Sequence, residues 1–250
     1  MSSALDAANM AVEQMPDIAM PRLMRATIEL RLEDVQAALN DFQTVLALRP
    51  GDPMIIQQAA TAHARLRDYP AAIDLIEKAL EADPNSGPWL RMLGELNMQS
   101  GNNELAGSFF ERALEANPND SRAANNLAYI YLADEQRAAD ALRLAQTAAR
   151  IRPTDGNVLD TLGWAYLKND KLDEAVETLK MAAILMPANP TVLYHYGEAL
   201  NRSGNSDLAA ETWRAALETG RPFPEAATVR AALASLEPAD TEAGSDQSQP

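Results

Sequence analysis

Between residues 159 and 182 apolar positions recur at three- and four-residue intervals. Leu159, Leu162 and Tyr166 fall on one segment and Ala175, Leu179 and Ala182 on a second, with the polar break Lys168-Asn169-Asp170 between them. Such spacing places apolar side chains on one face of a helix, so the stretch predicts two helices joined by a tight turn. Similar breaks occur at Asp68-Tyr69-Pro70, Ser100-Gly101-Asn102 and Ser203-Gly204-Asn205. Asp52–Pro53 and Asn189–Pro190 have the form of an N-cap followed by a first-turn proline. No alternating strand pattern competes with these signals anywhere.

The pairs are evenly spaced. Pro16, Pro50, Pro84 and Pro118 are each 34 residues apart, and Pro153, Pro187 and Pro222 follow after 35, 34 and 35. Counting each unit so that its thirty-second residue falls on or beside the proline gives 19–52, 53–86, 87–120, 121–155, 156–189 and 190–223. The eighth places hold Ala26, Ala60, Gly94, Ala128, Gly163 and Gly197, always small. The twentieth places hold Ala38, Ala72, Ala106, Ala141, Ala175 and Ala209, with one residue inserted in the fourth unit. Four places later stand Phe42, Ile76, Phe110, Ala145, Leu179 and Trp213, mostly large. Small residues where two helices approach, and large ones where a gap must be filled, are what close-packed helix pairs require.

These residues resemble the tetratricopeptide repeat (TPR), a helix–turn–helix unit of 34 residues. Leu159, Leu162, Gly163, Tyr166, Ala175, Leu179, Ala182 and Pro187 all fall on the family pattern, and the resemblance extends over residues 19 to 223. His63 and Asn97 depart from it, standing where Tyr166 stands in the fifth unit. The resemblance implies an all-α fold, a right-handed superhelical solenoid of stacked antiparallel helix pairs. Ala4, Ala8, Ala11 and Pro16 match the second half of a unit, so residues 1–18 read as an orphan second helix with its linker, and the chain as a piece of a longer array. Residues 224–236 form an amphipathic helix suited to cap the last unit. Residues 237–250 hold four acids and no base, the composition of a disordered acidic tail.

Composition narrows the function. The chain carries 36 acidic and 21 basic residues, a net charge of −15, which disfavours nucleic acid and anionic lipid as partners. Without cysteine there are no disulfides, thiolate metal sites or thiol nucleophiles. No apolar run reaches the ~18 residues of a spanning helix, so direct membrane insertion is not expected. Residues 1–15 lack the basic start and apolar block of a signal peptide, which leaves both cytoplasm and periplasm open.

Catalysis finds no convergent groups. His63 and His195 lie in units four boundaries apart, with no Ser or Cys nucleophile in register and no metal-ligand spacing around them. His63 reads as a helix-packing residue. Ser203-Gly204-Asn205-Ser206 is a helix–helix turn, not a phosphate loop, and Asp173–Glu174 suits a helix N-terminus. The expectation is a non-enzyme with no cofactor and no metal.

The family resemblance implies instead that first helices line a concave groove holding an extended or helical segment of a protein partner. The second, fifth, sixth, ninth and twelfth places of each unit reach that groove. The ninth-place row ends Glu95, Tyr129, Trp164, Glu198; the fifth-place row ends Arg91, Asn125, Asp160, Tyr194; the sixth ends Met92, Asn126, Thr161, His195. Asn126 can grip a partner backbone through both its donor and its acceptor, and Tyr129 with Trp164 can form an aromatic platform. Arg91 and Arg122 suit a carboxylate, Asp160 and Glu198 a base. These ten residues, Arg91, Arg122, Asn125, Asn126, Tyr129, Asp160, Trp164, Tyr194, His195 and Glu198, are the candidate groove. Relatives that clamp the C-terminal carboxylate of chaperones use Lys, Asn, Asn, Lys and Arg, whereas the corresponding places here hold Arg91, Glu95, Asn126, Asn157 and Thr161, which disfavours that partner.

A narrower resemblance lies in NNLAYIYL (125–132) and LDTLGWAYL (159–167), which are similar to C-terminal repeats of bacterial TPR proteins associated with exopolysaccharide export and surface-protein sorting. The expected function is a protein-interaction scaffold. The alternative is an architectural segment of an envelope or export assembly, with self-association through the apolar N-terminal end at Met20, Leu23 and Met24.

Overall fold

A computed structural model describes residues 2–236; the tail expected at 237–250 lies outside them. The described residues are all-α. They divide into two compact units, one ending at Ile130 and the other beginning at Tyr131. The first holds α1 (Ser2–Gln14), α2 (Ala19–Arg31), α3 (Val35–Leu48), α4 (Pro53–Arg65), α5 (Tyr69–Ala82), α6 (Gly87–Gln99) and α7 (Asn103–Ala116), and ends within α8 (Ser121–Tyr131). The second holds α9 (Ala138–Ile151), α10 (Gly156–Lys168), α11 (Leu172–Leu185), α12 (Pro190–Arg202), α13 (Ser206–Glu218) and α14 (Ala226–Leu236).

The proline period has a local cause. After each of five second helices the carbonyl of residue i accepts the N–H of residue i+3: Arg49 from Asp52, Asp83 from Ser86, Asn117 from Asp120, Arg152 from Asp155 and Met186 from Asn189. Proline occupies i+1 every time, where its fixed φ favours the turn. The residue at i+3 then heads the next helix, and Asp52, Asp155 and Asn189 each accept a first-turn N–H on the side chain. One short segment therefore stops one helix and starts the next.

Within pairs the turn is a Schellman closure. The N–H of Asp34, Asp68, Asn102, Lys171 and Asn205 bonds back to the carbonyl five residues earlier, at 2.8–3.0 Å. The residue before each donor has positive φ: Glu33 (64°), Arg67 (61°), Gly101 (89°), Asp170 (57°) and Gly204 (89°). Only two of these five are glycine. The connection after α8 differs. It is longer, contains a 3₁₀ turn at Glu135–Arg137, and carries the Arg137 guanidinium 3.3 Å from the Tyr131 ring centroid. This is where the fourth repeat has its inserted residue.

The small eighth-place residues are buried, and three are glycines for a steric reason. A Cβ on Gly94 would lie 2.5 Å from Phe110, one on Gly163 2.4 Å from Leu179, and one on Gly197 2.4 Å from Trp213. Each of those large residues is shut away from solvent. The Trp213 indole N–H donates to the Tyr194 carbonyl at 3.4 Å, which keeps its buried polar atom satisfied.

The first repeat is built differently. Where later repeats place Leu159, Leu162 and Tyr166, it places Arg22, Arg25 and Glu29. Arg25 donates two bonds of 2.7 Å to the buried Asp41 carboxylate and a third of 3.1 Å to Asn9 on α1, while Arg22 donates to Asp41 at 3.2 Å. Glu29 is buried beside them, and its Oε2 has no hydrogen-bond partner. Burial, then the neighbouring Asp41 charge, raises its carboxyl above the ordinary range, with Arg25 opposing the shift.

Candidate partner-binding faces

In the first unit α6 and α8 carry five of the predicted residues. Arg91 donates through Nε to Asp120 and through Nη1 to Glu95, each at 3.0 Å. Arg122 reaches the same Glu95 oxygen at 3.0 Å. Asp120 also caps α8, accepting from the N–H groups of Arg122 and Ala123. The two arginines expected to meet a partner carboxylate are thus already held by Glu95 and Asp120, so a ligand has to compete with those bonds. Asn125 and Asn126 are half-buried, and the Asn125 Oδ1 is closed off without a hydrogen-bond partner. Tyr129 is 59% exposed.

In the second unit α10 and α12 carry the other five. Trp164 and Asp160 are one turn apart on α10, and Tyr194 and His195 adjoin on α12. His195 is buried, with Nδ1 2.8 Å from Asp160 Oδ1. Its ring stacks on Trp164 with centroids 4.2 Å apart and planes 21° apart. Tyr194 tilts against both rings, at 6.0 Å from Trp164 and 5.6 Å from His195. In its own unit Trp164 therefore finds its ring partners in His195 and Tyr194. The face is a preformed aromatic cluster, and the hydrogen bond accepted by Asp160 fixes the imidazole orientation.

Two further residues join it that no motif had marked. Lys168, one turn beyond Trp164, holds its ammonium 5.2 Å from the indole centroid, a cation–π distance. Glu225 acts on Tyr194 together with Glu198: burial first, then these two carboxylates, push the Tyr194 hydroxyl up to about 12. Neither glutamate forms an ion pair among the described residues, and the Glu225 Oε2 is buried with no partner. Counting repeat places past 223 puts Glu225 at a second place, which is the signal that would have found it.

Paired helices with small–large packing and exposed polar first-helix faces define a repeat scaffold. The tetratricopeptide repeat signature matches residues 47–221, and the chain belongs to that family. Its members are interaction scaffolds that bind protein or peptide partners and are generally non-enzymatic. No curated protein sequence matches the chain. Among solved structures it is similar to a chain of the APC/C hetero-tetramer Cut9–Hcn1, with a TM-score of 0.75 and 18% identity over 92% of this chain and 45% of that one. A tetratricopeptide repeat protein from Parabacteroides merdae gives a TM-score of 0.66 and 18% identity over 93% and 91% of the two chains. YrrB, a TPR protein with an unusual peptide-binding site, gives 0.53 and 25% over 76% and 97%. No helix among the described residues is long and apolar enough to cross a membrane.

Proposed function

We propose that the chain is a non-catalytic scaffold whose first-helix faces hold a partner segment, with the Trp164–His195 face of the second unit as its principal site. The observation that carries this reading is the combination of a preformed ring cluster with two carboxylates, Glu198 and Glu225, that have no cation of their own. A buried carboxylate oxygen without a partner is costly, and a Lys or Arg side chain from a bound segment would relieve that cost. Lys168 over Trp164 already makes the kind of contact such a side chain would extend. The peptide-binding site of YrrB, on the same fold, lends support by analogy. The test is selection of binding segments from a random displayed peptide library. Winners should be enriched in Lys and Arg, and should lose at least about tenfold in affinity on Trp164→Ala and on Glu198→Gln/Glu225→Gln. Segments that bind all three proteins equally would remove this face from consideration.

A second reading, self-association or array extension through the N-terminal end, is favoured by one observation. Met10, Met15, Ile18, Met20 and Met24 on and between α1 and α2 are all exposed, an unusual run of large apolar side chains. Sedimentation velocity over a concentration series tests it, and a monomer at all concentrations, unchanged by Met20→Ser/Met24→Ser, would eliminate it.

A further inference from the structure

The third place of each repeat is a packing position at the junction between one helix pair and the next. Pro21, Ile55, Ala123, Val158 and Val192 are all buried there. Trp89, at the start of α6, is the exception and remains half-exposed. It is far larger than its counterparts, and the junction around it has not closed. A cavity of about 800 Å³ opens there, walled by Leu46, Met54, Ile56, Leu75, Ala79 and the Trp89 ring. Ala79 shows the same opening from α5: its counterparts Val45, Ala113, Ala182 and Ala216 are wholly buried, while Ala79 is not.

We propose that this cavity is a receptor for a large apolar side chain, aromatic or leucine-like, from a segment bound along the first-helix face of the first unit. The proposal rests on the groove reading above and assigns a new subsite to it, lined by residues outside the predicted set. Three observations choose the occupant. Clefts of roughly 300–1,000 Å³ with mostly apolar walls have the size and character of ligand sites, and this one falls within that range. The walls hold no free base: the Lys78 ammonium at the mouth is paired with Asp74 at 2.6 Å, so an acidic ligand gains nothing there. The mouth is also continuous with the first-helix face, because Met54 and Gln57 occupy the second and fifth places of their repeat and Pro88 the second of the next. The second place carries Arg122 in the fourth repeat, and the fifth carries Asp160 and Tyr194 in the fifth and sixth. Trp89 supplies a flat aromatic wall and Met54 an adaptable one.

The experiment uses N-acetyl-tryptophanamide and N-acetyl-leucinamide as probes, with N-acetyl-aspartamide as control. Binding is followed by NMR cross-relaxation from the probe to the Met54 methyl and the Trp89 indole. The apolar probes should bind with a dissociation constant on the order of millimolar and the aspartyl probe should not. Ala79→Phe, which fills the cavity from within, should weaken the apolar probes at least about tenfold without lowering the melting temperature. If that variant proves destabilised, Met54→Ser decides, since Met54 is exposed at the mouth and its loss should still weaken binding several-fold. Absence of transfer to Met54 and Trp89, or equal binding to wild type and both variants, overturns the proposal. Trp164→Ala leaves the probe result unchanged if the subsite exists, so failure here is distinguishable from failure of the aromatic face in the second unit.

Discussion

Gly163→Ala adds a single methyl at a position where the structure leaves no room for it. The new Cβ would stand 2.4 Å from Leu179 Cγ, 2.8 Å from Cδ2 and 3.2 Å from the Leu179 backbone nitrogen. Non-bonded carbons are comfortable only at about 3.5–4.0 Å, so α10 and α11 must separate or Leu179 must leave its rotamer. Leu179 is wholly buried and cannot swing into solvent. Overpacking of this kind costs about 1–3 kcal/mol, while replacing a mid-helix glycine by alanine returns about 1 kcal/mol. The net expectation is a loss of up to about 2 kcal/mol, a fall of several degrees in melting temperature. Circular dichroism melts of the wild type and Gly163→Ala measure it. The sharper measurement is the double-mutant cycle with Leu179→Ala. Alone that substitution should cost about 2–5 kcal/mol; in its background Gly163→Ala should become stabilising, giving a coupling of about 1–3 kcal/mol. A more stable Gly163→Ala in the wild-type background, or strict additivity in the cycle, would refute the packing assignment. Gly101 and Gly204 form a natural contrast, since nothing lies within 4 Å of their Cβ positions and positive φ alone explains them.

Three other outcomes are expected. Glu29→Gln should stabilise the first unit at neutral pH by about 1 kcal/mol, because it removes a buried carboxylate with an unpartnered oxygen. The sign follows from the raised carboxyl: its stabilising, protonated form is fully present below the unfolded value of about 4.3 and is lost as pH rises through the higher folded value. The advantage of the variant should therefore shrink on acidification, and urea titrations at pH 7 and pH 4 check it. Arg67→Gly should gain about 0.5–1 kcal/mol over Arg67→Ala, because residue 67 sits at φ 61° where a side chain is strained; equal stability of the two variants would contradict the turn geometry. In an absorbance titration Tyr194 should remain un-ionised past the ordinary tyrosine range, up to about 12. Folding then loses the contribution of Tyr194 only as pH climbs from about 10 toward that value. Glu198→Gln should lower the Tyr194 value modestly, since burial is its leading cause.

The helix pairs were legible because their causes are local. Pro50 followed by Asp52, or Pro187 followed by Asn189, is a turn and a cap within four residues, and neither needs a distant partner. Gly163 was legible for a related reason: its partner Leu179 lies at a fixed offset that recurs in Gly94–Phe110 and Gly197–Trp213. What could not be read depends on the identity of a neighbour and not on spacing. Arg25 and Glu29 occupy apolar places, and only the structure shows that Asp41 and Asn9 meet Arg25 there. Trp89 sits in register at a packing place, yet the register says nothing about a side chain too large for it. The candidate faces were legible as positions but not as chemistry, since Arg91 and Asp160 show no sign in sequence that Asp120 and His195 already engage them.

The difference between the two kinds of place explains where function can reside in such a chain. Small and large residues at the eighth and twenty-fourth places are tied together by contact, and a change in one requires a change in the other. The second, fifth and ninth places of the first helices carry no such tie, so their side chains are free to differ between repeats, and they do. Yet the second-unit face is not merely unconstrained surface. His195 is buried and oriented by Asp160, Trp164 lies flat upon it, and Glu225 keeps an oxygen away from both water and any donor. A solvated face would leave its carboxylates in water, and a packing face would give them partners. Order together with unmet charge is the observation from which the proposed binding of a basic segment is argued, and the loss of Lys and Arg enrichment in Glu198→Gln/Glu225→Gln is its direct check.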